Sequence, residues 1–271
     1  MRLTILHSSR YDYSNPIAHG LLRIRLKPKS THGQVILDWA MDLDGAGVET
    51  EYEDQHNNAV MLASLAPGSS AVTVTCRGTV ETADNAGAIG QHAGHMPLWI
   101  FTKPTDLTRA GPRIRKLSSA LEIGPAALLG SLHELSARVL DAVRYEIGRT
   151  DAQTRAEEAL QVGHGVCQDH AHIFIAAARE LGIPARYVSG YLMMDDRSEQ
   201  EAGHAWAEAH VPDLGWVGFD VSNGICPDER YVRVATGCDY RDAAPIAGIS
   251  FGAGDSTLKV RLSVEQHTAA Q

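Results

Sequence analysis

Residues 163–169 read Gly163-His164-Gly165-Val166-Cys167-Gln168-Asp169, and Ala171, Phe174, Ala178 and Leu181 follow at helical spacing. That spacing predicts a helix from about Cys167 to Leu181, stopped by Gly182 and Pro184. Cys167 therefore sits at a helix N-terminus. Unpaired amides and the helix dipole favour an anion there, which lowers a thiol pKa. The glycines before it allow a substrate backbone to come close. A cysteine nucleophile needs a base, and the base needs a group to orient it.

Downstream, three β segments are expected: Ala185 to Met194, His204 to Val211, and Gly215 to Val221. Pro212 to Gly215 supplies a tight turn between the last two. His204 opens one strand of this hairpin and Asp220 ends the other. A turn centred on residue 212 sets them directly opposite, on one face and about 5 Å apart at Cβ. The order is Cys on a helix, then His and Asp on paired strands.

Upstream, residues 1–83 read as β-rich. Leu22, Ile24 and Leu26 alternate with Arg23, Arg25 and Lys27, a half-buried strand with a solvated cationic face. Arg2 to His7, Val35 to Asp44 and Ala71 to Glu81 are further strands, separated by turn residues such as Asn57-Asn58 and Pro67-Gly68. An antiparallel sandwich-like module results. Residues 84–113 are rich in Gly, His and Pro and connect it to a helical stretch. Pro112 opens one helix. Ser131 with Glu134, and Thr154 with Glu157, have the form of capping boxes for two more. Leu132, Leu135, Val139, Val143 and Ile147 line the first of these, and Gly163 ends the second. Ser256 to Glu265 alternates again, a strand able to return to the N-terminal module. The expected division is 1–100 for the β-rich module, 101–245 for the core and 246–271 for the last strand.

The chain has 271 residues, with 24 basic against 33 acidic side chains and a net charge of −9. A balance of that sign argues against a nucleic-acid partner. No run is long and apolar enough for a membrane span, and Leu3 to Leu6 is too short for a signal h-region. The expectation is a cytoplasmic protein without a membrane partner. Its four cysteines are Cys76, Cys167, Cys226 and Cys238, too few for a disulfide framework and not spaced for a zinc ribbon. Cys76 reads as a buried apolar residue, and Cys226 and Cys238 as free thiols in loops.

Four blocks carry a resemblance: Gly165-Val166-Cys167-Gln168-Asp169, Gly182-Ile183-Pro184-Ala185-Arg186-Tyr187-Val188-Ser189-Gly190-Tyr191, His204-Ala205-Trp206, and Gly215-Trp216-Val217-Gly218-Phe219-Asp220. In that order they resemble the transglutaminase-like superfamily, in particular its bacterial members of cysteine-protease type. Tyr11-Asp12-Tyr13-Ser14-Asn15-Pro16 and Tyr52-Glu53-Asp54-Gln55-His56-Asn57-Asn58 resemble landmarks of that family's N-terminal region. Asn57 stands where the family has Gly, and Asn tolerates left-handed backbone. Val221 stands where the family has Pro after the Asp, which loosens the expected loop but leaves Asp220 in place.

The resemblance implies an α+β fold, with an N-terminal antiparallel β-sandwich-like domain and a papain-like, transglutaminase-like core. Its nucleophile helix packs on an antiparallel sheet. It also implies a triad of Cys167, His204 and Asp220, the three residues that hairpin geometry selects. The expected reaction is thiol-protease chemistry: cleavage of a peptide or protein amide through a thioester, with no cofactor. The alternatives are transglutaminase-type transfer of Gln side chains to amines, and a non-catalytic binding module on the same scaffold.

Trp206 is expected either to wall the cleft or to pack in the core. Asp169 either bonds the first helical amides or is a solvated acid, and Gln168 is placed near the cleft. Cys167 and His170 share a helix face, so a metal site with His204 is conceivable, but no fourth ligand is evident and no metal is expected. His170 is expected near the cleft or exposed, and His172 in the core.

Overall fold

The computed structural model describes residues 1–267. The strands in chain order are β1 (Arg2–Tyr13), β2 (His19–Lys27), β3 (Gln34–Asp44), β4 (Ala46–Glu53), β5 (Ala59–Leu65), β6 (Ala71–Thr82) and β7 (Ala88–Gly90). Helices α1 (Pro112–Ser118) and α2 (Leu128–Ala142), strand β8 (Arg144–Tyr145), helix α3 (Ala156–Val162) and strand β9 (His164–Gly165) follow. Next comes α4 (Cys167–Glu180), then β10 (Ala185–Leu192), β11 (Glu199–Gln200), β12 (His204–Val211), β13 (Gly215–Phe219) and β14 (Tyr231–Gly237). The last elements are α5 (Tyr240–Ala243), β15 (Ile246–Phe251) and β16 (Ser256–Gln266).

Two sheets face each other as a sandwich. One runs β11-β16-β1-β6-β3 and the other β15-β2-β5-β4. Their shared core includes Leu3, Ile5, Ile24, Ala63, Val74 and Val264. A third sheet, β14-β10-β12-β13-β7, carries α4 on one face. Neighbouring strands are antiparallel throughout, apart from the short β8–β9 pair. The architecture is α+β.

The two halves share atoms as well as a border. Tyr191, Val232 and Val234 of the third sheet enter the sandwich core. β14 is an edge strand, and its free backbone groups meet two side-chain amides from the sandwich. Gln34 accepts from Arg233 N at 2.8 Å and donates to Arg233 O at 2.9 Å. Asn58 accepts from Thr236 N at 2.8 Å and donates to Thr236 O at 2.7 Å. An edge clasped in this way offers no template for another strand.

The landmark at 52–58 is built for that clasp. Asn57 is left-handed, with φ 66°, and lets the chain turn. Asp54 accepts from His56 N and Asn58 N, and also from Arg25 Nε at 3.0 Å. Arg25 therefore departs from the solvated stripe expected of it. A register shift between Ile24 and Lys27 turns its side chain inward, where it is 2% exposed and paired with Asp54.

Helix caps differ from expectation by short shifts. α2 begins at Leu128, so Ser131 lies inside it and donates to Glu122 O at 2.6 Å. It ends at Ala142, where Val143 is already extended, and Ile147 lies beyond it at 80% exposed. α3 is capped by Glu158 accepting from Arg155 N at 3.1 Å, one residue on from the expected box. Glu157 serves another helix. Its carboxylate accepts from Gly111 N, Arg113 N and Ile114 N, the open amides at the start of α1.

Candidate active site

Cys167 is the first residue of α4, and Val166 before it is extended. Asp169 turns back to accept from Val166 N at 2.8 Å, and Thr150 Oγ1 donates to the same oxygen at 2.7 Å. Burial raises the Asp169 carboxyl above its usual range against these bonds. At 1% exposure it is a structural cap and not a solvated acid. Gly165 has to lack a side chain here, because a Cβ would stand 2.7 Å from that of Asp169.

β12 and β13 present the other two candidates in a register two residues from the expected one. Ala207 lies opposite Phe219 and Val211 opposite Gly215, so the turn centres on residue 213. Asp213 and Gly215 hold positive φ in it. His204 and Asp220 are thus diagonal, two positions apart along the ladder. A two-position offset keeps the face, because side chains alternate with period two. Asp220 lies just past the strand end, in a bridge with Ile225, and reaches His204 Nε2 at 2.6 Å through Oδ2.

Asp220 is fully buried and well supplied with donors. Asn223 Nδ2 donates to Oδ2 at 2.6 Å and Tyr231 OH at 2.7 Å. Burial alone would raise its carboxyl. The bond and charge of His204, then the Tyr231 and Asn223 donors, bring it below the usual range. His204 responds in the opposite sense. Burial pulls its imidazole down, but the bond to Asp220 and the neighbouring Cys167 sulfur raise it to about 10. With Nε2 on Asp220, Nδ1 is the nitrogen left for Cys167.

Trp206 is 2% exposed and packs with Val188, Leu192 and Tyr231 behind His204, so it supports the imidazole from the core. Gln168 lines the cavity beside Cys167. His170, expected near the cleft or exposed, is fully buried, which removes the exposed alternative. Its Nδ1 meets Ser222 Oγ at 2.8 Å and its Nε2 meets Val143 O at 3.0 Å. Both nitrogens are engaged, which removes it from any metal set with Cys167. The Ser222 contact also ties α4 to the loop that has Val221 in place of Pro. His172 is in the core, where burial lowers its imidazole to about 3. All four thiols are free, and Cys238 is buried rather than in an open loop. Among the described residues, His56, Cys238 and Asp242 bring ligand atoms within 4.8 Å of one another, and none of them is Cys167, His204 or Asp220.

Two contributors were not identified from sequence. Asn223 lies three residues after Asp220, a spacing at which a side chain folds back onto a carboxylate. Tyr231 carries no local signal, because only the β14 pairing brings it to Asp220.

The sequence model of the transglutaminase-like superfamily matches residues 117–221, which contain all three groups. The core belongs to the transglutaminase-like superfamily. The bacterial transglutaminase-like N-terminal region matches residues 3–81. The uncharacterized protein ML0607 of Mycobacterium leprae is 27% identical over 97% of this chain and 98% of its own. The uncharacterized protein Rv2569c of Mycobacterium tuberculosis is 26% identical over 95% of this chain and 90% of its own. A crystal structure from Cytophaga hutchinsonii, of a protein provisionally assigned as a cysteine protease, superposes with a TM-score of 0.79. It covers all of this chain and 92% of that one at 21% identity, a likeness of fold.

Proposed function

We propose that the protein is a cysteine-dependent amide hydrolase acting through Cys167, His204 and Asp220. The observation that carries this reading is the buried His204, bonded to Asp220 at 2.6 Å and facing Cys167 at a helix N-terminus. His204 stands beside the sulfur as the base that takes the Cys167 proton when the sulfur attacks, at a helix N-terminus suited to an anionic intermediate.

The sulfur attacks the amide carbon and the carbonyl π pair moves to oxygen. The backbone amides at the start of α4, which have no partner within the helix, are the groups to hold such an oxyanion. As the C–N bond breaks, His204 gives its proton to the leaving amine. A thioester remains on Cys167. Water then attacks it, His204 takes the water's proton, and the acid leaves as the thiol is regenerated. Asp220 keeps the imidazole in the required tautomer and orientation throughout.

Iodoacetamide labelling with peptide mapping tests the nucleophile. Cys167 is expected to label far faster than Cys76, whose thiol burial pushes up to about 12. Equal rates would remove the proposal. Transfer to an amine is the second outcome. Incubating a Gln-containing peptide with and without an added amine separates ammonia release alone from crosslink formation.

A further inference from the structure

We infer that the cavity at Cys167 is an acyl pocket for an uncharged, apolar substrate group, and that the N-terminal sandwich builds its far wall. This rests on the reading of Cys167 as the nucleophile and adds the class of substrate.

The cavity measures about 290 Å³, and Cys167 and His204 are among its lining residues. Its opposite wall belongs to β1 and β16, which are neighbours in the sandwich. Tyr11 stands opposite Leu258 and Ser9 opposite Val260, and both pairs line the space. Residues two apart on a strand share a face, so this wall is one continuous strip of sheet. The catalytic core alone would leave the cavity without that side.

No Asp, Glu, Lys or Arg lines the cavity among the described residues. The titratable groups that do are uncharged near neutrality, apart from the reacting pair. His7 bonds Tyr191 OH at 2.8 Å and Ser9 Oγ at 2.9 Å, and burial lowers its imidazole to about 4. Burial, with smaller contributions from Tyr240 and Tyr13, raises the Tyr11 phenol to about 12. A charged group entering here would lose its hydration and gain no partner. An aliphatic or aromatic group would instead cover Leu258, which is 49% exposed on this wall.

The test measures Cys167 alkylation by N-benzyl chloroacetamide and by its para-carboxylate and para-aminomethyl analogues. The neutral probe should react about tenfold faster than either charged one, the ratio that about 1.4 kcal/mol of desolvation gives. Leu258→Lys should raise the carboxylate probe relative to the neutral one, and Leu258→Asp should raise the ammonium probe. Leu258 is half exposed, so both variants should fold, and a melting curve checks that. Three equal rates, or ratios unmoved by both variants, would overturn the proposal.

A binding measurement keeps it independent of reactivity. In Cys167→Ala protein, N-acetylphenylalanine amide should shift the His7 and Leu258 NMR signals saturably, and N-acetyllysine amide should not. The reverse order overturns the pocket. Failure of the nucleophile reading looks different: iodoacetamide would label Cys167 no faster than Cys76, whatever the binding preference.

Discussion

Tyr231 OH donates to the same Asp220 oxygen that His204 holds, at 2.7 Å against 2.6 Å. A strand outside the hairpin thus steadies the group that orients the imidazole. Tyr231→Phe removes this donor and should lower activity about tenfold, on the scale of a hydrogen bond to a charged group. Since the Tyr231 bond lowers the Asp220 carboxyl, the acid limb of the pH–rate profile should also move to higher pH. A residue that only packs would leave that limb in place.

The pH dependence of stability has a definite sign. His204 is raised to about 10 from an ordinary 6.5, so its contribution is complete below about 6.5 and is lost as pH rises toward 10. Asp220 is lowered, so its contribution is complete above its ordinary 3.8 and is lost as pH falls. Urea midpoints of wild type and His204→Gln should therefore differ most between about pH 4 and 6.5 and converge toward pH 10. A gap constant from pH 5 to 10 would contradict this coupling.

Gly190 lies opposite His204 in the β10–β12 ladder, and a Cβ there would stand 2.2 Å from Val232 O and 2.6 Å from the Trp206 ring. Gly190→Ala should displace Trp206 and cost about 1–3 kcal/mol, as overpacking does. Thermal melts measure the loss. The His204 signal in a histidine NMR spectrum should move with it, since Trp206 backs that ring.

Glu157 is the cap of α1 from another helix, holding three backbone amides at 2.9–3.1 Å. Glu157→Ala should lower stability by about 1–2 kcal/mol in chemical denaturation, the usual size of a lost helix cap. Glu158→Ala, which removes two exposed bonds to Arg155, should cost less.

The parts legible in the sequence were those with a strong local signal, an apolar run or an alternation bounded by turn residues. α4 and β12 are nearly all buried, and β16 alternates, so their limits could be read closely. β4 was missed because it is almost wholly exposed and has no apolar face to announce it. β15 was missed because Gly248 interrupts a short run that is mostly exposed. Arg25 shows the opposite failure. Its charge suggested solvent, and only a partner 29 residues away explains its burial. The turn centre was misplaced by one residue, at 212 instead of 213, so each expected cross-strand partner was off by two. The error left His204 and Asp220 on one face because it displaced the pair by an even number of positions.

β16 pairs with β1 along eleven residues, Leu3 with Gln266 through Tyr13 with Ser256. During synthesis β1 emerges first and β6, its neighbour on one side, follows early, but β16 on the other side is made only after the entire core. Closing so long a loop is slow, because chain entropy opposes it before any contact forms. A nascent chain can therefore present Cys167, His204 and Asp220 before Leu258 and Val260 exist to wall the cavity. Substrate selection would then be the last property acquired during biogenesis, and a chain truncated before β16 would leave the exposed edge of β1 open to aggregation.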